Sequence, residues 1–109
     1  MASGDAGGIK FFKGSDADDG DYTTALVAAV SGKKIRVLNL AVTVLTTAGV
    51  VTIKSGSTAI LDHHLALGVP LVLDSQRGVC ETASGAALSA SNATGVDSFI
   101  SGAYVEIET

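Results

Sequence analysis

Short runs of Val, Ile, Leu, Thr and Ala alternate with Gly, Ser, Asn and Asp along most of this chain, with a break about every ten residues. No stretch longer than a turn or so carries apolar residues at helical spacing. The runs predict strands over 22–30, 34–46, 50–55, 58–66, 69–74, 78–83, 86–92 and 97–108. Eight short strands predict an all-β fold, a compact two-sheet β-sandwich with a jelly-roll winding among its options. Pro70, the only proline, belongs at an edge or a strand start, because it cannot donate to a ladder.

Two runs carry most of the information. Side chains alternate across a strand, so in 34–46 the even positions Leu38, Leu40, Val42 and Val44 make one apolar face. The odd positions Ile35, Val37, Asn39, Ala41, Thr43 and Leu45 make a second, mixed face. Both faces then need cover, one from the sandwich core and one from a neighbouring subunit. That makes Ile35, Val37, Asn39, Ala41 and Leu45 the candidates for an oligomer interface. In 97–108, Phe99, Ser101, Ala103, Val105 and Ile107 face one way, and Ile100, Gly102, Tyr104, Glu106 and Glu108 the other. A half-buried strand with a partly wet outer face is expected there.

Residues 1–21 differ in kind and read as an acidic, Gly/Asp-rich N-terminal arm ahead of a sandwich over 22–109. Within them one apolar patch, Ile9-Lys10-Phe11-Phe12-Lys13, holds two of the chain's three phenylalanines. It is either an extra edge strand of the sandwich or an arm that docks elsewhere.

Composition sharpens the picture. The chain has 109 residues, is 47% hydrophobic and only 17% charged, against about 25% charged for an average soluble domain. A small, charge-poor domain exposes surface that should sit against something, either copies of itself or a larger assembly. Three of the four net negative charges fall in residues 1–21, leaving the body almost neutral. With Lys33, Lys34 and Arg36 as its only basic cluster, the chain lacks the footprint of a nucleic-acid binder. Residues 35–53 approach membrane length, but Arg36, Asn39, four threonines and Gly49 interrupt them, so no membrane partner is expected. The opening "MASGDAGG" has neither the basic nor the apolar region of a secretory signal, which suggests folding in a cytoplasm.

No candidate chemistry survives close reading. "GSDADDGDY" clusters Asp16, Asp18, Asp19 and Asp21, but a calcium loop counted from Asp16 fails at its fifth, sixth and twelfth positions, Gly20, Asp21 and Val27. A turn-forming connector is the better reading. His63 and His64, the only histidines, are adjacent and on a strand point to opposite faces, so they cannot share a metal unless the chain bulges there. Cys80 is single and reads as a small core hydrophobe. No nucleophile elbow or phosphate loop is present. Neither an enzyme nor a cofactor is expected.

The segments "TTALVAAVSGKKIRVLNLAV", "GVVTIKSGSTAIL" and "CETASGAALSASNATGV" with a closing "AYVEIE" carry a resemblance. In this order they resemble a module of small β-sandwich virion structural proteins of tailed bacteriophages, over about residues 22–108. Val79-Cys80 before Glu81 departs from the pattern, which has bulky aromatics there. The resemblance implies a capsid decoration (cement) protein that binds the major capsid protein on the outer head surface and stabilises it, as a homotrimer, in the virion. Ile9, Lys10, Phe11, Phe12 and Lys13 are the candidate capsid contacts. Two alternatives stand beside it: a fibre or tail module that stacks a host-surface glycan on Tyr22 or Tyr104, and another minor head or neck protein.

Overall fold

The computed structural model describes residues 8–16, 20–22, 24–45, 47–75, 77–93 and 95–108, with Asp16 described by its backbone alone. Among the described residues nine strands form in chain order: β1 (Lys10–Asp16), β2 (Gly20–Asp21), β3 (Lys33–Val44), β4 (Gly49–Ser55), β5 (Thr58–Leu65), β6 (Leu71–Asp74), β7 (Cys80–Glu81), β8 (Leu88–Asn92) and β9 (Ser98–Glu108). Sheet A has the order β1-β9-β3-β6, with β7 also paired to β3; sheet B has the order β2-β8-β4-β5. Every pairing is antiparallel. Four of these pairings nest, β4 with β5, β3 with β6, β2 with β8 and β1 with β9, as in a long hairpin rolled over itself, and β3 with β9 and β4 with β8 join them into the two sheets. That nesting is the jelly-roll winding.

Local chemistry closes the innermost hairpin. Ser55 and Thr58 pair across a two-residue turn, and Gly56 takes a φ of +59° at its first position, where side-chain-bearing residues are strained. The "KSGST" segment therefore makes a tight hairpin.

The core lies between the sheets. Sheet A contributes Phe12, Ile35, Val37, Leu40, Val42, Val44 and Ile100; sheet B contributes Val51, Ile53, Leu65, Leu88 and Ala90. The patch at 9–13 is thus split by alternation: it forms an edge strand, with Phe12 turned inward at 7% exposure and Phe11 outward at 80%. β1 and β2 both precede residue 22 and pair into the two sheets, so the sandwich begins before the expected boundary.

Three expectations need correction. The described residues of 22–30 make no strand of their own; Val27 forms an isolated bridge with Leu88, and Tyr22 N–H bonds Ala90 C=O at 2.8 Å. In β3 strict alternation breaks. Val37 pairs with Tyr104 and Asn39 with Ala103, so Leu38 is an extra residue in a β-bulge. The bulge flips the phase of the strand, placing Ile35 and Val37 on the same inner face as Leu40, Val42 and Val44. Ile35 and Val37, expected at a subunit interface, are 1% and 0% exposed inside one chain. In β9 the more polar set faces inward: Ile100 is fully buried, and Gly102 is covered by the Phe12 ring. The apolar set that includes Phe99 and Ala103 faces outward.

Candidate functional site

The outer face of sheet A follows from the strand registers, because directly paired residues share a face. One row across it reads Phe11, Ala103, Asn39, Asp74; the next reads Lys13, Ser101, Ala41, Val72; a third reads Ser15, Phe99, Thr43. Phe11 is 80%, Val72 66% and Phe99 40% exposed, and Ile9 and Leu45 flank them at 60% and 54%. Ala103, between Phe11 and Asn39 in the first row, is nevertheless only 2% exposed, so the face is open in patches. The outer face of sheet B is its opposite. Asp62, Thr52, Ser91 and Asp21 line up across it, with Lys54 and Ser89 beside them. Thr52 Oγ1 donates to Asp62 Oδ1 at 2.8 Å, and Lys54 Nζ donates to Asp21 Oδ1 at 2.8 Å. Sheet A differs in carrying large exposed apolar side chains among its polar ones.

Phe11 stands between two hollows of this face. One, of about 450 Å³, is bordered by Phe12, Lys13, Asn39, Ser101 and Gly102. The other, of about 410 Å³, is bordered by Ile9, Leu38, Asn39, Asp74, Ser75 and Ala103. The bulge at Leu38 shapes the second by pushing an extra apolar side chain to this side.

Two sets of residues that the sequence assigns to different partners thus meet on one face. Of the capsid-contact candidates, Ile9, Phe11 and Lys13 are open to a partner. Lys10 is exposed, with Nζ 3.4 Å from Glu106 Oε1, a carboxylate that Lys33 Nζ also approaches at 3.6 Å. Phe12 belongs to the core and is not available. Of the interface candidates, Asn39 and Leu45 are exposed and Ala41 is half-buried on the outer face. Val72, Asp74 and Leu38 also belong here but carried no signal of their own. A four-residue edge strand and a bulge become visible only once their partners are known.

The other candidates lie elsewhere. Asp18 and Asp19 fall outside the described residues, and Asp21 is exposed beside Lys54. His63 and His64 point to opposite faces, as strand geometry requires. His64 is outside, while His63 sits on the inner side opposite Val51. Its Nε2 is buried without a hydrogen-bond partner among the described residues, and burial lowers its pKa against a weaker opposing pull from Asp62. Cys80 is half-buried opposite Val37, and burial together with Glu81 pushes its thiol up to about 11, far from a reactive thiolate.

Tyr22, at 7% exposure, offers no free ring for sugar stacking, and Tyr104 is half-buried with its ring centroid 6.1 Å from that of Phe12. A hydroxyl-lined hollow of about 640 Å³ borders Lys34, Ser55, Thr58, Glu81 and Thr82. Ser55, Thr82 and Glu81 are engaged by the fold, however. Ser55 Oγ accepts from Ala83 N–H at 2.8 Å, Thr82 Oγ1 accepts from Ile35 N–H at 3.0 Å, and Arg36 Nε donates to Glu81 at 2.5 Å.

Comparison with protein-family models and with curated proteins finds no match to this chain.

Proposed function

We propose that this protein is a structural component of a bacteriophage particle, a decoration (cement) protein that binds the outer head surface as a homo-oligomer and stabilises the capsid. The observation that carries this reading is the contrast between the two outer faces: polar and internally paired on sheet B, while sheet A exposes the large apolar side chains Ile9, Phe11, Leu45, Val72 and Phe99 among polar ones. Contiguous exposed apolar surface on a small domain marks an interaction face. The order of motifs over residues 22–108 supplies the kind of assembly, and the jelly-roll winding suits it, being common among viral coat domains. Fold alone does not fix function, so the face carries the weight.

Cement proteins work by bridging. Several modest contacts made by one oligomer add through effective concentration, so retention on a lattice exceeds what any single contact provides. Beyond the sheet A face, Leu67 and Val69, in the turn before β6, are 49% and 60% exposed and give a second apolar contact suited to the head surface.

The deciding experiment mixes purified protein with heads that lack it and pellets the particles. Binding at a fixed copy number per head, with a raised disruption temperature, is expected. Protein that stays in the supernatant at every concentration removes the proposal.

A further inference from the structure

We infer that β5 is the edge at which two copies of this chain join, antiparallel about a two-fold axis through His63, with Asp62 of each copy opposite His64 of the other. The pairing extends sheet B edge to edge, leaves the outer face of sheet A to other partners, and does not rest on the virion reading.

Edge strands present unpaired backbone N–H and C=O groups, and natural chains blunt them with Lys, Pro or short length. The borders of this sandwich differ in that respect. β1 carries Lys10 and Lys13, β6 has four residues and follows Pro70, and β2 and β7 have two each. β5 runs for eight residues with neither Lys nor Pro, and among the described residues it pairs with β4 alone. Its irregularity is Ile60, an extra residue between the Lys54–Ala59 and Ile53–Leu61 pairs. Residues 61–65 are therefore a regular segment, open on one side.

Side-chain chemistry selects the register. Directly paired residues share a face, so a strand that pairs with its own copy is centred on a residue. Asp62 and His64 are exposed on the outer face, while Leu61, His63 and Leu65 lie on the inner one. Centred on His63, the pairing sets Asp62 opposite His64 twice and Leu61 opposite Leu65 twice. An imidazole N–H can donate to a carboxylate whether the ring is neutral or charged, and the Asp62 carboxylate, which accepts from Thr52, has lone pairs for a second donor. Centring on Asp62 instead would set carboxylate against carboxylate. Centring on His64 would set imidazole against imidazole and leave Asp62 opposite Ala66. On the chosen axis the two His63 rings come side by side. The Nε2 of each is buried without a partner in its own chain among the described residues, and the second ring brings a group able to donate or accept.

Five residues at about 3.4 Å each make a seam of about 17 Å, held by roughly four to six backbone hydrogen bonds. That is smaller than a standard interface, so the pair is a weak one, with a dissociation constant on the order of 100 µM. Each copy meets the other through the same strand, which closes the assembly at two rather than at the trimer that the resemblance implies.

Sedimentation equilibrium of the full chain from about 20 µM to about 1 mM tests this. A dimer is expected. Asp62→Lys sets a cation against an imidazole, and His64→Asp sets carboxylate against carboxylate. Each should raise the dissociation constant at least about fivefold, and the double variant should return it to within about twofold of the wild type. All three should melt within a few degrees of the wild type, because both positions are exposed. A monomer at the top concentration, a trimer, a dimer indifferent to both single variants, or a double variant no tighter than the single ones would overturn the inference. Head binding is scored separately. A dimer that ignores heads removes only the virion proposal, and a monomer that binds them removes only this one.

Discussion

The Tyr22 hydroxyl lies 2.5 Å from Ser98 Oγ, with both residues buried and 76 positions apart in sequence. Ser98 Oγ also donates to Asn92 Oδ1 at 2.5 Å, so its single proton is committed there and Tyr22 is the donor in the first bond. Ser98 opens β9 in sheet A and Asn92 ends β8 in sheet B, so this polar chain ties the two sheets at one end of the sandwich. Tyr22→Phe keeps the ring and removes only the donor, and should cost about 1 kcal/mol. Ser98→Ala removes the shared middle atom and should cost roughly 2 kcal/mol, because two buried groups lose this partner. Urea unfolding checks both, and the double variant should cost less than the two single losses together.

Gly102 tests how tightly β9, β3 and β1 approach. A Cβ at this position would collide with the backbone oxygen of Asn39 and meet the Phe12 ring at 2.7 Å. The ring could swing aside; the Asn39 carbonyl, fixed in the bulge, cannot. Gly102→Ala should therefore destabilise by about 1–3 kcal/mol, against a near-neutral outcome at an ordinary strand position. Thermal melts of this variant beside Ser101→Ala, one residue away on the outer face, make the comparison.

Much of the fold was legible because its signals are local. Alternating apolar runs bounded by Gly and Ser identify β4, β5, β8 and β9, and Ser55-Gly56 supplies its own turn. The errors have a common cause in register. Asn39 and Leu38 look like ordinary strand residues, and nothing in one sequence says that a bulge there inverts the phase of Ile35 and Val37. The inside of β9 was equally hidden. Gly102 and the glutamates make its inner set the more polar one, yet Phe12 from the far end of the chain covers Gly102. Such cross-strand compensation is written in two distant places and read only when they are paired. The docking face was half legible: Asn39, Ala41 and Leu45 were expected to be covered by a neighbour, and they do lie outside.

The corrected phase of β3 separates stability from association. Val37→Ala opens space in a fully buried site and should cost about 2 kcal/mol while leaving self-association of the folded protein unchanged. Ala41→Glu, on the outer face, should do the reverse. It places a charge among the exposed apolar side chains of the outer face of sheet A, and should weaken association through that face while the melting temperature of the monomer stays within a few degrees. Sedimentation and thermal melts on the same samples resolve the two effects. Equal loss of both properties in both variants would mean that β3 is covered on a different side.

His63 should give the sandwich an acid-sensitive edge. Its ring lies on the inner side of β5, opposite Val51, with Nε2 buried and without a partner among the described residues. Burial favours the neutral imidazole and lowers the folded pKa, and the nearby Asp62 carboxylate only partly offsets this. In the unfolded chain the ring titrates near its ordinary value of about 6.5. Between that value and the lowered one, the unfolded state binds more protons than the folded state, so stability rises with pH across the window. The contribution is complete above pH of about 6.5 and is lost as pH falls through the window. The melting temperature should therefore drop from pH of about 7.5 to pH of about 5.5, where most carboxylates are still ionised. His63→Leu removes the titrating group and fits the apolar side of the strand, so its profile should be flat over the same range. His64→Leu, on the outer face, should keep the wild-type slope. If His63→Leu and the wild type fall in parallel, the acid sensitivity belongs to other groups and the ring is not held neutral by its burial.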